Sequence, residues 1–453
     1  MATVMMAAPA RAALKPLKVP PREEASTTTG LKVIVARRGP LPLVALRLIV
    51  RSGSAFDPAG KLGLADFTAR LMRRGTKAMT ADEINEAVEY LGASLATTAG
   101  EDYLSVAISA PAEHLVPMLE VMGQLVREPT FPQGEVDSAK KRVLGQLANE
   151  LDDPGSIAER AFVSSFWGAH PYGHELLGRA ADVKGFTRDD LVAFHREKMG
   201  PRVSTLVVVG DVDPRQVFAA AEKAFAGWTQ GPAASAVLPT LSAPSSPGQI
   251  LLIDKPDQTQ TQVRIGSMGV PRGHPDYFPI MAFNTVLGGS FTSRLVTQVR
   301  VKRGLSYGIG SHFDGLLAGG MFAVSTFTKT QATREILDVT LGEIAKMRAK
   351  GPTAVELATA KSYVNALYPA RVETNEGISG SLAEIAVYGL SADYVETFRE
   401  KLDAVTRAQA ADAAQKYLFA KEPLIVLVGN ASQVRPLVES LGPVTVRKVA
   451  ELE

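Results

Sequence analysis

Short apolar runs alternate with longer amphipathic stretches along the chain. Gly30-Leu-Lys-Val-Ile-Val-Ala36 and Gly248-Gln-Ile-Leu-Leu-Ile-Asp254 are compact apolar strands. Thr205-Leu-Val-Val-Val-Gly210-Asp211 and Leu424-Ile-Val-Leu-Val-Gly429-Asn430 read as buried strands closed by Gly. Leu104–Ser109 and Met321–Thr326 alternate like half-buried strands. Glu135–Leu151 carries helical periodicity, and Thr80-Ala-Asp-Glu83 is a capping box that opens another helix.

These landmarks come in pairs. The strands at Gly30 and Gly248 start 218 positions apart, and Gly210 and Gly429 lie 219 apart. Thr187-Arg188 and Thr406-Arg407, again 219 apart, each open a helical run that leads into the Gly-closed strand. Offsets that agree to within one residue across three landmarks mark an internal duplication. Residues 30–228 and 248–453 form the two halves, and the Pro-, Ser- and Ala-rich residues 229–247 read as an exposed linker. Residues 1–29 read as a leader or disordered N-terminus. The pattern predicts an α+β fold of two homologous halves, with helices packed on one face of a mostly antiparallel sheet. Each half is too long for one average domain and is expected to be a pair of related, smaller α/β units.

The chain has 453 residues, 46% of them hydrophobic, which is too apolar for disorder. Its 49 basic and 47 acidic residues nearly balance, and no basic run marks a nucleic-acid footprint. No apolar stretch reaches the roughly 18 residues of a transmembrane helix. The absence of Cys excludes disulfides and thiolate metal sites. Ala10-Arg11-Ala12 fits an A-x-A cleavage site, although a basic n-region is lacking. A periplasmic location is favoured over a cytoplasmic one on that basis.

Residues 63–76 read Gly-Leu-Ala-Asp-Phe-Thr-Ala-Arg-Leu-Met-Arg-Arg-Gly-Thr. They resemble the zinc helix of the insulinase/pitrilysin metallopeptidases, G-L-A-H-F-x-E-H-M-x-x-[KR]-G-T. The resemblance implies that Asp66 and Arg70 stand where two His ligands would be. Ala69 stands in place of the general-base Glu. Further on, Arg142-Val-Leu-Gly-Gln146 resembles the segment carrying the third ligand, and Gly145 and Gln146 occupy its two Glu positions. Asp66 and Arg70, four apart on a helix, are expected to form an ion pair worth a few tenths of a kcal/mol. Glu150 reads as a surface or structural carboxylate. His170-Pro-Tyr-Gly-His174 has ligand-like spacing, but Pro171 and Gly173 make it a turn.

The second half keeps more of the family pattern. Leu287-Gly-Gly-Ser-Phe-Thr-Ser-Arg-Leu295, followed by Arg300 and Gly304-Leu-Ser-Tyr307, resembles L-G-G-x-x-x-S-R-L…L-R-x-x-x-G-L-[AS]-Y. The resemblance implies that Arg300 and Tyr307 reach into a zinc site and donate to the scissile carbonyl and the developing oxyanion. It also implies that Gly288 and Gly289 handle substrate. An Arg–Tyr pair can equally pack or bind a carboxylate, and a Gly pair can serve a turn.

The resemblance extends over residues 30–440 and implies two halves closing like a clam shell over a cavity. It points to the non-metal subunit of a heterodimeric peptidase, similar to the mitochondrial processing peptidase subfamily. Such a chain binds no zinc and is inactive alone. It acts with a paralogous H-x-x-E-H subunit that carries the zinc, and with a peptide substrate. A catalytically silent, structural or peptide-binding homologue, resembling core subunits of a membrane complex, is the alternative.

Overall fold

The computed structural model describes residues 17–39, 41–240, 246–419 and 423–452. The leader-like residues 1–12 and linker residues 241–245 lie outside the described residues. The strands are β1 Arg22–Ser26, β2 Lys32–Arg37, β3 Leu43–Val50, β4 Ser94–Ala99, β5 Leu104–Pro111 and β6 Ser204–Gly210 in the first half. In the second they are β7 Ile250–Asp254, β8 Gln260–Met268, β9 Ile309–Gly315, β10 Gly320–Lys329, β11 Leu424–Gly429 and β12 Val444–Lys448.

The duplication is explicit in the topology. One sheet runs β1-β2-β6-β3-β5-β4 and the other β12-β7-β11-β8-β10-β9. In each, the Gly-closed strand pairs parallel to the strand that opens the half and antiparallel to the next one. The two edge strands break the symmetry: β1 pairs antiparallel to β2, whereas β12 pairs parallel to β7. Part of the expected leader is therefore an edge strand, too polar (Arg-Glu-Glu-Ala-Ser) to show as one in the sequence. Each half holds one six-stranded sheet, and helices rather than a second sheet take up its remaining length.

Helices cover both faces of each sheet, where one face was expected. The second face of each sheet is covered by a helix from the opposite half. The Pro154–Trp167 helix buries Ile157, Ala161, Phe162 and Phe166 against Leu251, Ile253, Val426 and Val428. The Asn375–Tyr388 helix returns the exchange, packing Ile378 and Leu382 on Ile34, Ala36, Val207 and Val209. Two-sided burial explains why β6 and β11 are unbroken apolar runs. The first crossover begins where Asp153 caps the Ser156 N–H at 2.7 Å and Pro154 ends the preceding helix, Gln133–Asp152. The predicted capping box at Thr80 forms, and the helix starts expected at Thr187 and Thr406 prove to be capping boxes too.

Candidate functional site

A cleft of about 730 Å³ opens where the halves meet, and Asp66, Arg70 and Gln146 of the degenerate zinc positions line it. The Leu64–Met72 helix starts at Gly63, whose φ of +94° and close approach to the Leu177 carbonyl suit only Gly. Asp57 accepts the Gly63 and Ala65 N–H groups, each at 2.7 Å. With Phe67 buried, these contacts account for a frame that persists without the metal chemistry.

Asp66 and Arg70 form the expected i,i+4 pair, with Nε to Oδ2 at 2.5 Å. Burial pushes the Asp66 carboxyl up from its ordinary value, and Arg70 works against that shift. Ala69 is fully buried in the core. Gln146 lines the cleft and donates to Glu150 at 3.2 Å, while Glu150 pairs with Arg160 at 3.5 Å. These residues do not fit zinc. Among the four positions the only carboxylate is already held by a permanent cation, and an alanine and an amide stand at two of the others. Among the described residues no group of three or more His, Cys, Asp or Glu is placed to hold a metal. The isolated chain, dialysed against a zinc salt, is expected to retain far less than one equivalent by elemental analysis. Stoichiometric zinc would overturn this assignment.

The two His of the 170–174 turn go to different partners. His170 accepts the Tyr172 N–H at 3.1 Å and bonds the Pro239 carbonyl at 2.7 Å, whereas His174 is buried beside Asp57. Tyr172 donates to buried Asp102, which also accepts the Leu317 N–H at 3.0 Å, tying the halves together. Arg272, another residue of the cleft wall, carries no sequence signal. It lies over the Tyr277 ring at 4.0 Å and bonds Glu384 and Tyr394, each at 2.8 Å.

Burial pushes Asp57 up to about 8 despite its two N–H donors, and Glu175 up to about 7 despite Arg160. Both groups hold a proton in the folded chain that the unfolded chain releases above its ordinary carboxylate range. Their contribution to stability is full below about pH 4 and declines as pH rises toward about 8. The urea midpoint is expected to fall between those limits, with a shallower slope in Asp57→Asn. An unchanged slope in that variant would assign the effect to other groups.

Arg300 and Tyr307 do not line this cleft. Arg300 stands on a π-helical turn, Val296–Val301, a feature common at functional sites. Tyr307 precedes β9 in a loop fixed by Ser306, which bonds the Gly308 backbone, and by Thr328, which donates to the Leu305 carbonyl. Tyr307 is 78% exposed, and the Arg300 guanidinium carbon lies 4.6 Å from its ring centroid. Among the described residues, neither side chain makes a hydrogen bond or ion pair. Gly288 packs where a Cβ would meet Ser311 Oγ at 2.4 Å, so the Gly pair also has a packing role.

Comparison with known proteins places the chain in a family. Residues 32–180 match Insulinase (Peptidase family M16), and residues 185–364 match the Peptidase M16 inactive domain. The chain belongs to the insulinase peptidase family. It is 25% identical to an uncharacterized zinc protease of Streptomyces coelicolor over 73% of each chain. It is 22% identical to one of Bacillus subtilis over 89% of this chain and 97% of that protein. A peptidase M16 inactive domain from Pseudomonas fluorescens superposes with a TM-score of 0.85 at 29% identity, covering 90% of this chain and 98% of that one. A protease from Helicobacter pylori shares the fold, with a TM-score of 0.82 at 20% identity over 90% of this chain and all of that one. This insulinase-family chain thus has the family fold around a site whose residues do not suit zinc.

Proposed function

We propose that this chain is the non-metal subunit of a heterodimeric zinc metallopeptidase. It binds an extended peptide and supplies Arg300 and Tyr307 to the active site of a paralogous H-x-x-E-H subunit. One observation carries the reading: half-buried Arg300 and exposed Tyr307 stand together with unused donors, away from their own chain's degenerate zinc cleft. Donors held in place without an internal acceptor suit a group brought by another molecule. The partner's zinc supplies the activated water. Gly288 and Gly289, in the loop that leads to Phe291 beside Arg300, are proposed to support the bound peptide backbone.

The test is reconstitution with an H-x-x-E-H paralogue. Peptide cleavage is expected only when both chains are present. Equal cleavage by the paralogue alone would sink the proposal. A stable complex without cleavage would favour a structural or peptide-binding role.

A further inference from the structure

Arg300 has a second aromatic neighbour that the motif does not specify. Its guanidinium carbon lies 5.1 Å from the centroid of Phe291, a residue 75% exposed at the loop after the Gly pair. That loop is fixed from both sides. Gly288 packs against Ser311, and the Ser290 hydroxyl donates to the Thr285 carbonyl at 3.2 Å. Downstream, the Ser293 hydroxyl accepts the Val296 N–H at 3.4 Å, where the helical segment bearing Arg300 begins. Phe291 is thus held at an exposed site without contributing to a buried core.

An arginine is a long side chain with many rotamers, and the half-buried Arg300 side chain has no hydrogen bond or ion pair among the described residues to select one of them. Aromatic faces attract a guanidinium through the ring quadrupole and leave its in-plane N–H edges free. We infer that Phe291 is a positioning residue that, with Tyr307, orders the Arg300 guanidinium before substrate arrives. The inference rests on the proposed role of Arg300 in the partner's active site. It gives the Gly288–Ser293 loop a specific task, the presentation of Phe291.

In the reconstituted pair, Phe291→Ala is expected to lower kcat between about 2-fold and about 30-fold with KM little changed. Phe291→Tyr and Phe291→Trp should restore the rate, because both keep an aromatic face. The thermal midpoint of the isolated chain should not move. An activity-independent readout is the Arg300 Nε–Hε resonance of the isolated chain, assigned by its loss in Arg300→Lys. Ring currents place it upfield, and Phe291→Ala should shift it back toward the value of a free arginine. If Arg300→Ala abolishes activity while Phe291→Ala keeps full kcat, the positioning role is refuted and the shared site stands. If Arg300→Ala itself has no effect, the shared site fails, and an unshifted resonance in Phe291→Ala would refute the ordering of Arg300 as well.

Discussion

Replacing Arg300 with Ala is expected to lower kcat of the reconstituted pair about 10²- to 10³-fold, with KM changed little. The magnitude follows from the role: a donor aimed at an oxyanion strengthens its bond as charge develops, so its loss falls on the transition state. Tyr307→Phe removes only the hydroxyl and leaves the ring beside Arg300, so it tests the second donor separately. Arg300→Lys keeps the charge and loses the planar fork, and should fall between wild type and Ala. Association with the partner should survive in all three variants. Steady-state peptide cleavage with size-exclusion chromatography of the same samples decides the matter. Unchanged kcat in both Arg300→Ala and Tyr307→Phe would leave the pair a packing feature.

The sequence revealed the parts of the molecule that repeat or obey a short-range rule. Leu206–Val209 and Leu424–Val428 are buried on both faces, so they stood out as apolar runs and exposed the duplication. Spacing alone predicted the Asp66–Arg70 pair, because residues four apart share a helix face. The strand Ser94–Ala99 was missed: it is an edge strand whose core-facing side, Leu95, Thr97 and Ala99, is only half-buried and too weakly apolar to stand out. Arg272 was missed because its partners Tyr277, Glu384 and Tyr394 converge only through tertiary packing. Phe291 sat inside a motif read for its glycines, and only the folded loop shows that it reaches Arg300.

Nor does an apolar helix face state which sheet it covers. Ile157, Phe162 and Phe166 mark the Pro154–Trp167 helix as buried, but local pattern assigns it to its own half. Its actual seat makes a second large effect testable. Phe162 is fully buried on the second sheet, where a Cβ at Gly266 would stand 2.2 Å from its ring. Phe162→Ala is expected to cost about 3–5 kcal/mol, the usual range for a buried Phe. Gly266→Ala should cost about 1–3 kcal/mol through overpacking. The double variant should cost less than the sum, since deleting the ring removes one of the two close contacts. The Phe322 carbonyl oxygen, at 2.7 Å from the same Cβ position, limits the recovery.

The two tryptophans report on different cores: Trp228 lies in the first half's core, and Trp167 packs on the second sheet. If the exchanged helices join the halves into one cooperative unit, single-Trp variants will unfold at coincident urea midpoints. Phe162→Ala will then shift both midpoints together, although its cavity opens only beside the second sheet. A Trp228 transition that stays in place while the Trp167 transition moves would show that the halves unfold independently. The exchange would then be a contact between two separate folding units.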